Sequence, residues 1–406
     1  MLSLALAPLF MGASVSLSAA EGFELLSDAE FSGQIRPRYE FAQIVSNGVD
    51  AGNAATMRTT LGMGGKLLDS KVLNGYFELT SVNNFGYDKY STAAGGMYDV
   101  VEDPNQARVG QAYVDYSKGS TLFRAGRQII NMDNERFLGS HDWRQMPQSF
   151  DAITVIDKHL EYTTLTAAYV AKVNGVSSSM ETGSAVFNAA VQTSDDAVFN
   201  VYAYMLASIH DTYGTSLSGK GGPDEMKYSY RLEYAMQSDP SLEYRQSGVK
   251  ADSNYMNFDL ALNADGVIFG AGYEAFGGTD GTDGKSAFSA PLGSHHAFNG
   301  WADVFTDKPA GGLQDTSVRV GYQSKNLGKL MGVYHIFTSE QAMATATGTS
   351  KDLGSEIDAV YVKQFENTPG ISISGKAAFY SKSEITGYTN DVTKYWVQLD
   401  YQFVTK

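Results

Sequence analysis

Segments of about ten residues in which apolar and polar side chains strictly alternate recur along this chain, with charges in mid-segment. In 226–237, Met226, Tyr228, Tyr230, Leu232, Tyr234 and Met236 alternate with Lys227, Ser229, Arg231, Glu233 and Gln237. The same period runs through 254–263 (Met256, Phe258, Leu260, Leu262), 315–325 (Val318, Val320, Tyr322) and 394–403 (Tyr395, Val397, Leu399, Tyr401, Phe403). Period two sends the two sets to opposite faces of a strand. A soluble sandwich is served by strands of ~5–6 residues. Ten tilted residues instead cross a bilayer in a barrel, with apolar side chains in lipid and polar ones facing a wet lumen. The pattern therefore predicts an all-β fold, an antiparallel up-and-down transmembrane barrel.

The connections carry a second pattern. Short turns are expected near Leu68-Asp69, Lys118-Gly119, Lys158-His159, Ser194-Asp196, Ser238-Pro240, Ala264-Gly266, Asn326-Gly328 and Asn367-Pro369. Long segments are expected near 46–55, 84–105, 131–149, 173–184, 209–225, 277–314, 340–353 and 384–392. Short and long alternate, as periplasmic turns and extracellular loops do. Between Ser238 and Ala264 two short turns would follow each other. A strand at about 241–247, a loop at about 248–252 and a strand from 253 restore the order. That gives eighteen strands with both termini on the periplasmic side, or sixteen if 241–264 holds a single loop.

Composition narrows the function classes. The net charge is −15, from 30 Lys plus Arg against 45 Asp plus Glu, so no basic face is expected for nucleic acid. Zero Cys excludes disulfides, thiolate metal sites and cysteine nucleophiles. Residues Leu2 to Leu17 are apolar, and Ser18-Ala19-Ala20 offers a small-x-small cleavage site before Glu21, so 1–20 reads as a signal peptide and 21–406 as one barrel domain. No Lys or Arg precedes Arg36, so the usual basic start is absent. Export to the outer membrane of a double-membraned bacterium follows, with lipid, lipopolysaccharide and the barrel-assembly machinery as partners. Leu399, Tyr401 and Phe403 supply a C-terminal aromatic signal, although Val404-Thr405-Lys406 follow it. Monomer and homotrimer both remain open.

Parity assigns the lumen wall. Cations expected inside are Arg36, Arg38, Arg58, Lys66, Arg124, Lys227, Arg231, Arg319, Lys325 and Lys376. Anions expected there are Glu40, Glu78, Asp115, Glu233, Asp259, Asp315 and Asp400. The wall so counted is mildly basic, which leaves the excess carboxylates to loops and turns. Arginines in a narrow pore can guide anionic solutes by bidentate contacts, or they can be hydrated wall residues paired across strands. Two long loops carry aromatic and charged residues suited to a constriction: Arg136, Trp143 and Arg144 in 131–149, and Phe298, Trp301 and Asp303 in 277–314. Their alternative role is outer-loop packing. No catalytic residues are expected, since the six His include no HExxH spacing and no Gly-x-Ser-x-Gly elbow occurs. No cofactor is expected beyond a loop calcium at Asp280-Gly-Thr-Asp283, a stretch that also reads as a Gly-rich turn.

Gly126-Arg127-Gln128, Arg136-Phe137, Trp143-Arg144-Gln145 and Phe150-Asp151 resemble the alginate-export family of bacterial outer-membrane porins. Phe298-x-Gly300-Trp301-Ala302-Asp303-x-Phe305 and Gly312-Leu313-x-Asp315 resemble the same family's later block. The resemblance implies an eighteen-stranded barrel whose arginine-rich lumen passes an anionic polymer, with Arg127, Arg136 and Arg144 as pore arginines. Strict alternation points Arg127 at lipid, so that assignment requires a bulge or a strand already bent into the lumen. Because the counted lumen holds seven carboxylates, the reading of the whole sequence is a porin for passive diffusion of small hydrophilic solutes. Its rivals are a dedicated channel for an anionic substrate such as a uronate oligomer, and a structural or adhesive surface barrel.

Overall fold

The computed structural model describes residues 25–243, 249–282 and 284–405, so the expected leader 1–20 and Asp283 lie outside the described residues. Eighteen strands form one antiparallel sheet. The first nine are β1 (Leu26–Ile44), β2 (Gly52–Leu67), β3 (Leu73–Asn83), β4 (Gln106–Lys118), β5 (Thr121–Gln128), β6 (Ser149–Asp157), β7 (Thr163–Asn174), β8 (Ser179–Ser194) and β9 (Ala197–Leu206). The second nine are β10 (His210–Gly221), β11 (Met226–Ser238), β12 (Ser253–Ala264), β13 (Val267–Phe276), β14 (Leu313–Ser324), β15 (Gly328–Ala344), β16 (Thr349–Gln364), β17 (Ile371–Ser381) and β18 (Val392–Thr405). Each pairs with its successor, and β1 closes on β18 with Arg38 opposite Gln398. Closure leaves no edge, which is what lets strands cross hydrocarbon.

The alternation sorts as expected. On β12, Met256, Phe258, Leu260 and Leu262 are exposed on the outer face, while Tyr255 is buried inside. The same holds for Val318, Val320 and Tyr322 of β14 and for Val397 and Leu399 of β18. A continuous apolar outer band is the lipid-facing surface of an outer-membrane barrel.

Eighteen strands are present, but two expectations on the way to that count are wrong and compensate. The expected long loop 209–225 is strand β10 followed by an inner turn at 222–225, and the outer connection before it is only 207–209. The expected inner turn at Ser238-Pro240 consequently opens the outer connection 239–252, and the strand expected at 241–247 does not form in its described part, 241–243. The sixteen-strand alternative falls with it. Strand β10 was hidden because glycines occupy its outer face. Gly219 faces Tyr230 and Gly221 faces Tyr228, and the tyrosine rings fill the space where a Cβ would stand. A neighbouring strand thus supplies the apolar cover over the inner end of β10, whose own alternation is reduced to Tyr213 and Leu217.

The apolar core sits inside the barrel. Phe137, Leu138, Phe288 and Phe305 descend from the loops 129–148 and 277–312 onto inward residues of the wall. Phe137 packs edge-on against Tyr255 at 4.9 Å between ring centres, and Phe305 lies 4.6 Å from Phe337. Infolding, the first of the two roles expected for these loops, is the one observed.

Candidate functional site

The loop that follows β5 crosses the lumen to the far wall. Left-handed turns at Asp133, Glu135 and His141 (φ 52°, 65° and 51°) fold it inward. Arg136, fully buried, pairs with Glu274 of β13 at 2.6 Å, and its guanidinium lies against the rings of Phe276 and Phe298 at 4.6 and 4.4 Å. It also donates to Asn299 of the second loop. Glu274 accepts from Tyr255 and Asn299 as well, at 2.6 Å each. This bidentate, multiply bonded pair is the geometry in which a buried charge is tolerated.

Farther along, the same loop lies on β1 and β2. Arg58 donates to Oδ1 of Asp142 at 2.8 Å, while Arg36 reaches its Oδ2 at 3.4 Å and its carbonyl at 2.8 Å. Arg38 donates to the Trp143 carbonyl at 2.5 Å. Gln145 bonds the Arg36 carbonyl and the Thr56 hydroxyl. The Asp142 side chain keeps 57% of its surface exposed to the channel space, whereas those of Arg36 and Arg58 keep 8% and 3%.

The second loop docks on β16 to β18. Asn299, Gly300 and Asp303 are left-handed, at φ 55°, 82° and 58°. Gly300 lies against the Glu356 carboxylate, leaving no room for a Cβ. Next to it, the Trp301 and Ala302 amides donate to Asp358 and Glu356 at 3.1 and 2.7 Å. Asp303 then joins both loops to the wall, bonding Arg144 at 3.1 Å, Lys394 at 3.3 Å and His296 Nδ1 at 2.8 Å. The Lys376 ammonium donates to His296 Nε2 at 2.8 Å and sits 4.1 and 4.0 Å from the rings of Trp143 and Trp301. Trp396 completes the cluster at 5.8 Å, so all three tryptophans of the chain surround one lysine.

The electrostatics of the loops follow from this packing. Burial pushes the His296 imidazole well below its ordinary pKa, against the pull of Asp303. A neutral ring also fits the geometry, since Nε2 needs its lone pair to accept from Lys376. Burial alone would raise the Asp303 carboxyl, but His296, Lys394 and Arg144 hold it well below the carboxylate range. Burial lowers His141 to about 4 and His295 to about 2, with the Arg144 charge acting on the first and Lys308 on the second.

Below the constriction the wall is a set of closed ion pairs. Arg36 pairs with Asp400 and Arg124 with Asp115, at 2.6 and 2.7 Å. Arg231 pairs with Glu233 and with Asp133 of the first loop, at 2.7 and 2.5 Å, and Arg319 pairs with Asp259 at 2.6 Å. Asp315 holds His335 at 2.9 Å. Arg38 and Asp103, 3.5 Å apart, are both fully buried, and Arg144 also faces Glu40 at 3.4 Å. Lys66, Lys227 and Lys325 sit at the inner rim, paired with Asp28, Asp224 and Glu366.

Arg127 is not a lumen residue. It pairs with Asp151 at 2.7 Å directly across from it, between inward Phe150 and Ala152 on one strand and in line with outward Phe123 on the other. The alternation that points it outward therefore holds, because the β5–β6 pairing runs without a register shift and the neighbouring bulges fall in the β3–β4 and β6–β7 pairings. The mildly basic wall also needs correction. Inward Glu274, Glu356 and Asp358, together with Asp103, Asp133, Asp142 and Asp303 from the loops, add seven carboxylates against five further cations, Arg108, Arg136, Arg144, Lys308 and Lys394, so the excess of three falls to one. Parity on β13 and β16 could have placed the first three. Nothing in the sequence says which loop carboxylates return to the lumen. At Asp280, the carboxylate accepts from the amide and hydroxyl of Thr282 at 2.8 and 2.6 Å, a local turn.

The alginate-export family model matches residues 33–170. The chain resembles that family there. The matched stretch runs from β1 through β7 and includes the first infolded loop. No curated protein matches the chain. Among solved structures, Pseudomonas aeruginosa OccK9 (OpdG) superposes with a TM-score of 0.73 at 14% identity, covering 94% of this chain and 100% of that one. Acinetobacter baumannii OccAB4 gives 0.71 at 13% identity, with coverages of 94% and 99%. The Pseudomonas aeruginosa outer membrane protein OpdK gives 0.69 at 14%, covering 94% and 100%, and another OpdK structure was solved with vanillate. At these identities the shared property is the fold, a closed antiparallel β-barrel.

Proposed function

We propose that this barrel is a porin through which small hydrophilic solutes and ions diffuse passively across the outer membrane, screened by size at the two infolded loops. The observation that carries this reading is the pairing of the lumen. Among the described arginines only Arg108 lacks a carboxylate partner, and its guanidinium is taken by the carbonyls of Pro147, Asn174 and Gly175. A wall of closed pairs presents alternating partial charges to the water column, not a rail of free cations, and such a wall favours weak charge selection.

A second reading, a path dedicated to an anionic solute, draws on the family match and on vanillate, a carboxylate, in OpdK. In this chain it requires a solute carboxylate to displace Asp142 from Arg36 and Arg58. Single-channel conductance of the refolded protein in a planar bilayer under a salt gradient separates the two. Ohmic steps with a reversal potential near zero support the porin. Strong anion selectivity lost in Arg58→Ala establishes the dedicated path, and absence of conductance overturns both.

A further inference from the structure

The outer face of β6 to β11 carries an apolar groove of about 830 Å³. Its floor is a zigzag of small residues, Ala167, Ala189, Ala203 and Thr215, set between bulky neighbours such as Phe187 and Tyr213. The register fixes its course. Asp157 faces Leu165, Leu165 faces Ala189, Ala189 faces Val201, Val201 faces Thr215 and Thr215 faces Tyr234. Counted from the inner rim, Asp157 is the first residue of its strand, Leu165 the third, Val201 the fifth and Tyr234 the ninth. The groove thus starts at the periplasmic rim and rises obliquely across six strands. Five inter-strand steps of ~4.8 Å on strands tilted ~35–45° climb roughly 15 Å, more than half of the ~25 Å apolar band.

We propose that this groove seats an acyl chain of a zwitterionic phospholipid from the periplasmic leaflet. The outer parity of the groove leaves hydrocarbon as its medium, and its narrow, rising course matches a single extended chain better than the broad contact of a second barrel. Charge decides the headgroup. At the low end the exposed turn begins Lys158-His159, directly after Asp157, whose carboxylate accepts from Thr121 and His159 at 2.5 and 3.1 Å. A lysine for the phosphate and a carboxylate for the ammonium stand side by side at headgroup level. Leu160 and Tyr162, 58% and 66% exposed in the same turn, add apolar and aromatic contact at the interface.

The inference rests on the membrane placement and not on the channel reading, so conductance serves as an independent control. The full chain is purified in mild detergent from membranes containing phosphatidylethanolamine and examined by native mass spectrometry. A phosphatidylethanolamine carrying a diazirine on its acyl chain then maps contacts in vesicles. One retained phosphatidylethanolamine, with label concentrated on Ala189, Val201 and Tyr213, is the expected result. Ala189→Leu with Ala203→Leu should lower retention about tenfold, and Lys158→Glu should lower it for the zwitterionic lipid. Ala359→Leu, on the outer face of β16, should leave it unchanged, and conductance should be unchanged in all three. Label spread evenly around the barrel, equal retention in the groove variant, or cross-links from Ala189 to a second copy of the chain would each overturn the proposal.

Discussion

At the scale of single residues, the pair Arg136–Glu274 joins the first loop to the far wall. Replacing Arg136 with Met strands a buried carboxylate that already holds Tyr255 and Asn299. Breaking such a pair costs about 3–5 kcal/mol, so Arg136→Met should lower the temperature at which the folded barrel loses its anomalous gel migration. Adding Glu274→Leu removes the stranded charge and should recover part of the loss. A double variant no more stable than Arg136→Met would show that the carboxylate is not the source of the cost. Asp142 makes a different prediction. Asp142→Asn keeps the loop's shape and removes one negative charge from the most exposed carboxylate at the constriction, so the reversal potential should move toward anion selectivity without a large change in conductance. No movement would mean that Arg36 and Arg58 remain shielded by Asp400 alone. Parity marks both halves of the strand-to-strand pairs Arg36–Asp400, Arg124–Asp115, Arg231–Glu233 and Arg319–Asp259, but only the arginine half of the pairs that cross to the first loop. Alternation places Arg36, Arg58 and Arg231 on the wall, because a strand's parity is local, whereas the partners Asp142 and Asp133 arrive from a loop whose path depends on tertiary packing.

At the scale of elements, the strands were largely legible and the loops were not. Strands β11, β12 and β18 announce themselves because their own side chains cover their own outer face. Strand β10 does not, since Tyr228 and Tyr230 cover its glycines from the next strand. The infolding of the two long loops is the expectation drawn from Trp143 with Arg136 and Arg144 in the first and from Phe298, Trp301 and Asp303 in the second. The convergence of three tryptophans on Lys376 could not be foreseen, because Trp396 lies on a strand far along the chain. The docked loops also carry a pH response. His141 and His295, lowered by burial to about 4 and 2, are neutral when docked, whereas free imidazoles protonate below ~6.5. Undocked loops therefore bind more protons below that value, and docking loses stability as pH falls from ~6.5 toward the folded values. By pH 5 the loss is about 2 kcal/mol per imidazole. Asp303, held below the carboxylate range, contributes above ~3.9 and is lost only as pH falls past that, so it is silent in this window. Open-channel noise or conductance should rise between pH 7 and 5, and the rise should shrink in His141→Asn with His295→Asn, the buried neutral His296 carrying the remainder. An unchanged rise in that variant would remove these rings from the explanation.

At the scale of the whole molecule, the barrel's charge is divided between a neutralised interior and an acidic remainder. The net charge of −15 cannot reside in the lumen, where every described arginine but Arg108 meets a carboxylate. It falls instead on the outer loops and inner turns, at the two mouths. A field from the mouths acts through solvent and is screened by salt, over a Debye length of ~3 Å at 1 M and ~30 Å at 0.01 M. A free arginine rail inside a narrow, low-dielectric wall would select anions and would resist screening far better. The two arrangements therefore predict opposite signs at low salt. For this chain, reversal potentials measured under a fixed concentration ratio should show a weak cation preference near 0.01 M that fades toward zero near 1 M. Neutralising mouth carboxylates should abolish the low-salt preference while leaving conductance at 1 M intact. Anion preference that persists at 1 M would mean that the pairs open in the working channel, with Asp142 leaving Arg36 and Arg58 to bind the passing ion.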